Sequence, residues 1–170
     1  MIGIAAQNIF DGHIAHLEGI VLIEDGRIVT IAGEAPPGVP CDEFGEDVII
    51  APGYVDAQVN GAGGVLLNAT PTAAAMGQIA RAMALTGTTA ILPTLITDAP
   101  GQLEKALLAA REALAAGIPG VAGLHLEGPF LSRARIGCHP VEQVRRMTQA
   151  DAALLCEPFP GCLLVTLAPE

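Results

Sequence analysis

The sequence predicts an α/β fold in which a parallel sheet follows a small antiparallel β unit. Its apolar residues come in short runs rich in Val, Ile and Leu, which is typical of parallel strands covered on both faces. Apolar residues make up 51% of the 170 residues and aromatic residues only 3%, with a mean hydropathy of +0.51. Between these runs lie stretches in which apolar residues recur with helical spacing.

The opening residues, 1–47, are predicted to form the small β unit, as a portion of a β-sandwich. Two β-rich runs, Ile20 to Ile23 and Ile28 to Ile31, flank Asp25-Gly26. Asp-Gly between such runs predicts a hairpin, because a type I′ turn needs positive φ at both central residues. A hairpin of this size has too small a core to be stable alone, so we expect it to pack on other elements.

Residues 48–170 are predicted to form the second domain, in which strands alternate with helices. The strands are predicted at 54–60, 88–97, 121–127 and 162–167, and the helices at 72–85, at 100–116 and from Thr148 through Cys156. This order predicts a parallel sheet with right-handed crossovers. Two architectures fit, a doubly wound sheet or the first half, about four βα units, of a (β/α)8 barrel. The glycines of Gly61 to Gly64 lack dinucleotide-binding spacing, which disfavours a Rossmann fold.

Charge and composition exclude several classes of function. The formal net charge is −10 and the eight Lys and Arg are scattered, so nucleic-acid binding is not expected. No apolar run is long enough to span a membrane, and the first residues lack the pattern of a signal peptide, so we expect a cytoplasmic protein. The four cysteines have no zinc or disulfide spacing and are predicted to be reduced thiols.

Polar residues at strand ends form the candidate site. Gln58 and Asn60 point the same way at the end of one predicted strand, and Glu127 ends another, two residues beyond His125. A buried carboxylate needs a cation, a proton or several donors. Gln58 and Asn60 could instead cap a turn, and His125 could be a hydrogen-bonded core histidine.

The loop after Glu127 contributes two further candidates. His139 lies in a loop at the predicted functional face, so it is a candidate for ligand contact, and a plain loop role stays equally open. Cys138 stands beside it, although neighbours in sequence do not make a catalytic dyad.

Six motifs occur in order along the chain: Pro52-Gly53-Tyr54-Val55-Asp56, Gln58-x-Asn60-Gly61-x-Gly63-Gly64, Leu92-Pro93-Thr94-Leu95-Ile96-Thr97, Gly123-Leu124-His125-Leu126-Glu127-Gly128-Pro129-Phe130, Gly137-x-His139 and Val165-Thr166-Leu167-Ala168-Pro169-Glu170. Together they resemble the N-acetylglucosamine-6-phosphate deacetylase family of the amidohydrolase superfamily. The resemblance extends from about residue 20 to the last residue and covers the amino-terminal portion of the family.

The resemblance implies a TIM-type barrel and a role for each candidate residue. Glu127 would bind a single divalent metal, zinc first, with iron, manganese, cobalt or another ion as alternatives. Gln58 and Asn60 replace the usual His-x-His and would lie near the metal-bound water. His139, with Cys138 beside it, would bind substrate. Two further histidine ligands and the catalytic aspartate are expected beyond Glu170, so no catalytic residue is expected within this chain.

The implied reaction is hydrolysis of the acetamide of N-acetylglucosamine 6-phosphate to glucosamine 6-phosphate and acetate, in amino-sugar catabolism. We also expect a homo-oligomer, a dimer, because self-association would cover the open edges of a half-barrel. Because co-ligands are missing, we expect the chain alone to be inactive and its metal site to be empty. Two alternatives stay open: another amidohydrolase, such as a dihydroorotase-like enzyme, which would usually keep His-x-His, or a non-catalytic sugar-phosphate-binding half-barrel.

Overall fold

The computed structural model describes residues 1–170, which divide into two compact units, Met1–Pro52 and Gly53–Glu170. The division lies after Pro52 rather than after residue 47, the predicted boundary. The reason is that Ile49–Ile50, expected in the second domain, pairs with the first strand of the chain and so belongs to the first unit.

The first unit is a single five-stranded sheet. Its strands are β1 Ile2–Phe10, β2 Ala15–Glu24, β3 Arg27–Ala32, β4 Cys41–Glu43 and β5 Ile49–Ile50. The order is β3-β2-β1-β4, and β5 also pairs with β1. The pairs β1–β2 and β2–β3 are antiparallel, whereas β4 and β5 run parallel to β1. Its small core is built on Ala6, Ile9 and Val21.

The predicted Asp-Gly hairpin is confirmed. The turn between β2 and β3 places Asp25 at φ 51° and Gly26 at φ 72°, and Glu24 is paired with Arg27. Both central residues therefore adopt the positive φ that a type I′ turn requires.

The second unit contains a four-stranded parallel sheet. Its elements are β6 Tyr54–Val59, a short hairpin of β7 Gly61–Ala62 and β8 Val65–Leu66, α1 Ala73–Ala84, β9 Thr88–Ile96, α2 Gln102–Ala115, β10 Gly123–Glu127, a 3-10 turn Arg133–Arg135, α3 Gln149–Leu155 and β11 Cys162–Thr166. The sheet order is β11-β10-β9-β6, and every pair is parallel. The mixed α/β class with a parallel sheet is confirmed; whether this is half of a barrel stays a prediction.

The core of the second unit lies between this sheet and its helices. Leu124 and Leu126 project from one face of β10 and pack with buried residues of the helices, among them Met76, Ile79 and Ala110. The small residues of α2 allow that helix to lie close to the sheet, as the Ala-rich sequence predicts. Because Leu124 and Leu126 occupy this face, His125 and Glu127 lie on the other.

Capping fixes the ends of two helices. Thr72 accepts a hydrogen bond from the Ala75 N–H at the start of α1. At the start of α3, Thr148 and Asp151 form a full capping box, which confirms the sequence prediction with Asp in place of Glu. None of the helices combines the length and the apolarity that a membrane span requires.

Candidate functional site

The predicted site residues Gln58 and Glu127 meet at the ends of β6 and β10. Gln58 Nε2 donates a hydrogen bond of 2.8 Å to Glu127 Oε2. The two residues lie 69 positions apart in the chain, so the fold alone brings them together. This contact leaves Glu127 Oε1 free of the amide.

Local structure on β6 aims the Gln58 side chain. Val59, the next residue, is buried in the core, and its N–H donates to Thr94 Oγ1 at 3.0 Å. The Gln58 N–H is bonded to Asp56 Oδ1 at 3.0 Å, where the pairing of β6 with β9 becomes irregular. Because successive strand residues face opposite sides, burial of Val59 turns Gln58 away from the core and toward Glu127.

His139 approaches the same carboxylate from the loop that follows β10. Its Nε2 lies 3.7 Å from Glu127 Oε1, and its side chain is only 8% exposed. Its Nδ1 lies 3.0 Å from the hydroxyl of Thr97, which is also 3.4 Å from the Glu127 carbonyl oxygen. Gly128, at φ 89°, permits this arrangement, because a Cβ there would strike the Thr97 hydroxyl.

His125 lies below Glu127 on the same face of β10 and is 2% exposed. Its Nδ1 lies 3.3 Å from Thr94 Oγ1 and its Nε2 lies 2.8 Å from Thr166 Oγ1. Burial lowers the pKa of His125, and the nearby Glu127 carboxylate opposes that shift. The ring is hydrogen-bonded on both sides, as the core interpretation of the sequence expects, and neither nitrogen faces the open site.

The side chains of Asn60 and Cys138 form no hydrogen bond with Gln58, Glu127 or His139. Asn60 is half-buried, and its carbonyl oxygen accepts from the Leu67 N–H at 2.9 Å, which anchors the β7–β8 hairpin. Cys138 is a free, exposed thiol. Their predicted places beside the metal-bound water and the substrate stay predictions.

Sequence reasoning missed the side chains that hold the site residues. Thr94 and Thr97 are buried and contact His125 and His139, although threonine in a β-rich run is usually explained by strand propensity alone. Asn68 bonds both backbone groups of Ile96, and its Nδ2 also lies 2.7 Å from Asp98 Oδ2. An isolated Asn before a helix predicts only a cap or a turn, so no local signal pointed to this bridge.

The donor atoms around Glu127 fit part of a divalent-metal site. Glu127 Oε1, which Gln58 leaves unbonded, is a carboxylate donor of the kind that divalent metal ions bind, and Nε2 of His139, the predicted substrate contact, lies 3.7 Å from it. No group of three or more His, Cys, Asp or Glu side chains that could hold a metal occurs in the chain. A catalytic zinc takes about three protein ligands and a water, so the residues present are only some of the donors such an ion needs.

The site lies at an open surface rather than inside the cavity that the loop after β10 forms with the end of the chain. That cavity, of about 640 Å³, is lined by residues of the loop after β10 and the end of the chain, among them Phe130, Arg145 and Glu170. Neither Gln58, Glu127 nor His139 lines it. Arg145 is held there by Asp151, to which it donates at 2.6 and 2.7 Å, and it stacks over the Phe130 ring at 5.0 Å. This network anchors the loop that bears His139.

Comparison with curated proteins relates nearly the whole chain to amino-sugar deacetylases. It is 39% identical over 152 residues to an N-acetylgalactosamine-6-phosphate deacetylase of Shewanella sp. (strain ANA-3), which covers 87% of this chain and 38% of the relative. It is 33% identical over 161 residues to the N-acetylglucosamine-6-phosphate deacetylase of Danio rerio, covering 90% of this chain and 38% of that protein. No family model matches the chain.

Solved structures give the same relationship. The N-acetylglucosamine-6-phosphate deacetylase of Pasteurella multocida superposes with a TM-score of 0.90 at 25% identity, covering 99% of this chain and 45% of that one. The enzyme of Mycobacterium smegmatis gives 0.82 at 29% identity, covering 100% and 48%. A mutant of the latter was solved in complex with N-acetyl-D-glucosamine-6-phosphate. The resemblance found in the sequence is thus confirmed, for a chain that spans 38% of the length of these curated relatives.

Proposed function

We propose that this chain, a homologue of part of the N-acetylglucosamine-6-phosphate deacetylases, supplies the Glu127 side of an amino-sugar deacetylase site. The observation that supports this most directly is the hydrogen bond from Gln58 to Glu127, with His139 on the other carboxylate oxygen. The substrate in this proposal is N-acetylglucosamine 6-phosphate, and its acetamide is hydrolysed to glucosamine 6-phosphate and acetate.

The contacts of Gln58 and His139 support a task for each. Gln58 occupies Glu127 Oε2 and so fixes the plane of the carboxylate, leaving Oε1 as the donor atom for a cation. His139 is held by Thr97 with its Nε2 directed to the same space, where it contacts the sugar. From the family resemblance alone, we assign Asn60 to the neighbourhood of the metal-bound water and Cys138 to the substrate.

The group that Glu127 would help to hold is one divalent cation, zinc first, then iron, manganese or cobalt. The chemistry supplied by such an ion is to lower the pKa of a bound water and to polarise an amide carbonyl. Because the chain has no cluster of three metal-binding side chains, we propose that these 170 residues alone bind metal weakly and are inactive.

The architecture we propose is the consecutive first strands of a TIM-type (β/α)8 barrel. The order β6, β9, β10, β11 across the sheet follows the order along the chain without reversal, as in a barrel. A doubly wound sheet reverses its strand order at a switch point, where its ligand binds. We also propose a cytoplasmic enzyme, which fractionation of its host cells would test.

The first experiment measures acetate release by the 170-residue chain with zinc and N-acetylglucosamine 6-phosphate. We expect no release above the rate without protein. Turnover well above that background would refute the incomplete-site part of the proposal.

The second experiment tests the function itself in a chimera. This chain replaces the matching stretch of the Shewanella relative, and deacetylation and bound zinc are measured. We expect activity that Glu127→Gln reduces at least about 100-fold, since loss of a metal ligand removes the activated water. The matched control is Glu112→Gln, an exposed glutamate of α2 that makes no ion pair. Equal effects of both changes would contradict the assignment of Glu127.

A second substrate is favoured by one observation. The Shewanella relative is named for the galactosamine epimer, so the chimera is also assayed with N-acetylgalactosamine 6-phosphate. The ratio of kcat/KM for the two epimers decides between them. The preference could also come from the part of the chimera that the Shewanella relative supplies. Repeating the assay in a chimera with an N-acetylglucosamine-6-phosphate deacetylase separates the two sources.

The other two interpretations of the sequence have their own tests. A dihydroorotase-like enzyme would hydrolyse a cyclic amide, and Gln58-x-Asn60 in place of His-x-His argues against it. A non-catalytic binder would bind the sugar phosphate whether or not a chelator is present. Calorimetry with and without chelator therefore separates the binder from the enzyme, for which binding in the chimera depends on metal.

A further inference from the structure

A continuous chain of polar contacts crosses all four strands of the parallel sheet directly below Glu127. The Val59 N–H of β6 donates to Thr94 Oγ1 of β9 at 3.0 Å. The same oxygen lies 3.3 Å from His125 Nδ1 of β10, and His125 Nε2 lies 2.8 Å from Thr166 Oγ1 of β11. Three side chains therefore link each strand to the next, two of them buried, Thr94 and His125, and one exposed, Thr166.

The contacts of Thr94 determine which atoms donate and which accept in this series of hydrogen bonds. Its hydroxyl has three partners, the Val59 N–H, the Leu92 carbonyl oxygen at 3.1 Å and His125 Nδ1. A hydroxyl can donate once and accept twice. The Val59 amide can only donate and the Leu92 carbonyl can only accept, so all three contacts are hydrogen bonds only if His125 Nδ1–H donates to Thr94.

The other ring nitrogen then has a defined role. His125 is 2% exposed, and a charged imidazolium in such a place is costly, so the ring is neutral. A neutral ring protonated at Nδ1 accepts at Nε2, and the Thr166 hydroxyl donates to it. Thr166 is paired in register with Glu127, so this last bond ties β11 to the residue level of the site.

We propose that His125 is a positioning residue: a buried ring, protonated at Nδ1, that locks the four strand ends in the register at which Gln58 meets Glu127. The proposal rests on the proposed function in that it assumes Glu127 must be held for its role. The His125 ring reaches Gln58 through Thr94 and Val59, because Val59 is adjacent to Gln58. It positions Glu127 directly, because His125 lies two residues before Glu127 on the same strand. His125 itself touches neither substrate nor metal in this proposal.

The test uses the 170-residue chain, ¹⁵N-labelled at histidine, in NMR correlations that distinguish protonated from unprotonated ring nitrogens. We expect His125 with a proton on Nδ1 and none on Nε2. A proton on Nε2 alone, or a mixture of the two tautomers, would overturn the assignment. This measurement needs no metal, substrate or turnover, so its failure is distinct from failure of the deacetylase proposal.

A second readout tests positioning. Thr166→Val removes the donor to Nε2, and we expect the side-chain amide proton of Gln58 to shift toward the value that it has in Glu127→Gln, where the carboxylate partner is lost. Thr166→Ser keeps the hydroxyl and is expected to retain the wild-type shift. The matched control is Thr30→Val on the exposed strand β3, which should change neither the His125 ring-nitrogen signals nor the Gln58 amide signal. An unchanged Gln58 signal in folded Thr166→Val would refute the positioning role.

Discussion

Gln58 determines which oxygen of Glu127 is available to a ligand. Its amide occupies Oε2 at 2.8 Å, and the remaining oxygen faces His139. Loss of a side chain that orients a metal ligand typically lowers metal affinity about 10- to 100-fold. Gln58 therefore has a role that can be measured separately from that of Glu127.

We expect Gln58→Leu in the active chimera to lower zinc affinity about 10- to 100-fold, because the carboxylate loses its orienting hydrogen bond. Zinc affinity is measured by competition with a chelating dye. The control is Gln149→Leu, an exposed residue of α3. Zinc affinity equal to that of the parent chimera would show that the observed hydrogen bond does not orient Glu127.

Asp151 gives the chain a dependence of stability on acid. Hydrogen bonds from Arg145 hold the pKa of Asp151 well below its usual 3.8, and Thr148 adds to the effect. Because the folded-state pKa is the lower one, the ionised carboxylate stabilises the fold fully above the unfolded-state value. That contribution is lost as the pH falls below 3.8 toward the folded-state value.

The variant Asp151→Asn should lower the free energy of unfolding in urea by about 1 kcal/mol near neutral pH, as loss of a helix cap does. At a pH below 3.8, part of that difference in unfolding free energy should disappear, because the stabilisation that the ionised Asp151 carboxylate gives the folded state declines there. Glu142→Gln, at an exposed glutamate of the preceding loop, serves as control. A difference that grows on acidification would have the wrong sign for this account.

Single residues also mark the limit of sequence-based prediction. Glu127 and Gln58 stand at the ends of apolar runs, where burial cost and strand alternation indicate a site, and the structure brings them together. By contrast, nothing in the sequence around Thr94, Thr97 and Asn68 indicates a special role, yet they make contacts across about 30 positions of sequence. Such contacts depend on sheet register, which the local pattern does not determine.

At the scale of elements, periodicity and capping were sufficient for the helices. The predicted helices at 72–85 and 100–116 are observed at Ala73–Ala84 and Gln102–Ala115. The sequence predicts that Ile49 and Ile50 belong to the second domain, because a strand-like run leads directly into Tyr54. Its partner is β1, a pairing set by residues about 40 positions away, and no local signal indicates it.

The hairpin between β2 and β3 allows a test of its turn. Gly26 has φ 72°, and no atom lies within 4 Å of the position that a Cβ would take, so Gly26→Ala adds backbone strain without a clash. We expect the free energy of unfolding of the chain in urea to fall by about 1–2 kcal/mol, the cost of left-handed backbone for a residue with a Cβ.

Gly33→Ala is the matched control, since Gly33 is equally open and is not at positive φ. It should leave stability within about 0.5 kcal/mol of the wild type. If Gly33→Ala destabilised the chain as much as Gly26→Ala, positive φ would not be the cause.

At the scale of the whole molecule, the second unit has two unpaired sheet edges. β6 is exposed along Tyr54 and Val55, at 73% and 75%, and β11 has no partner beyond β10. Unpaired strands with apolar side chains are templates for association. We therefore expect the 170-residue chain to self-associate, consistent with the predicted homo-oligomer.

Sedimentation velocity across a range of concentrations checks this expectation. A sedimentation coefficient that rises with concentration is the expected result, and Val55→Lys, which places a charge on the β6 edge, should reduce it. The control is Leu85→Lys, at an exposed residue that follows α1. A monomer at every concentration would contradict the expectation.

The sequential order of the parallel strands also has a consequence for how the chain is made. Within the second unit, β9 joins β6, β10 joins β9 and β11 joins β10, so each new strand finds its partner already synthesised. Pairing between elements close in sequence closes short loops and favours rapid folding. On a ribosome the sheet can therefore grow by one strand and one helix at a time, and β6 is the only strand that waits for a partner made later.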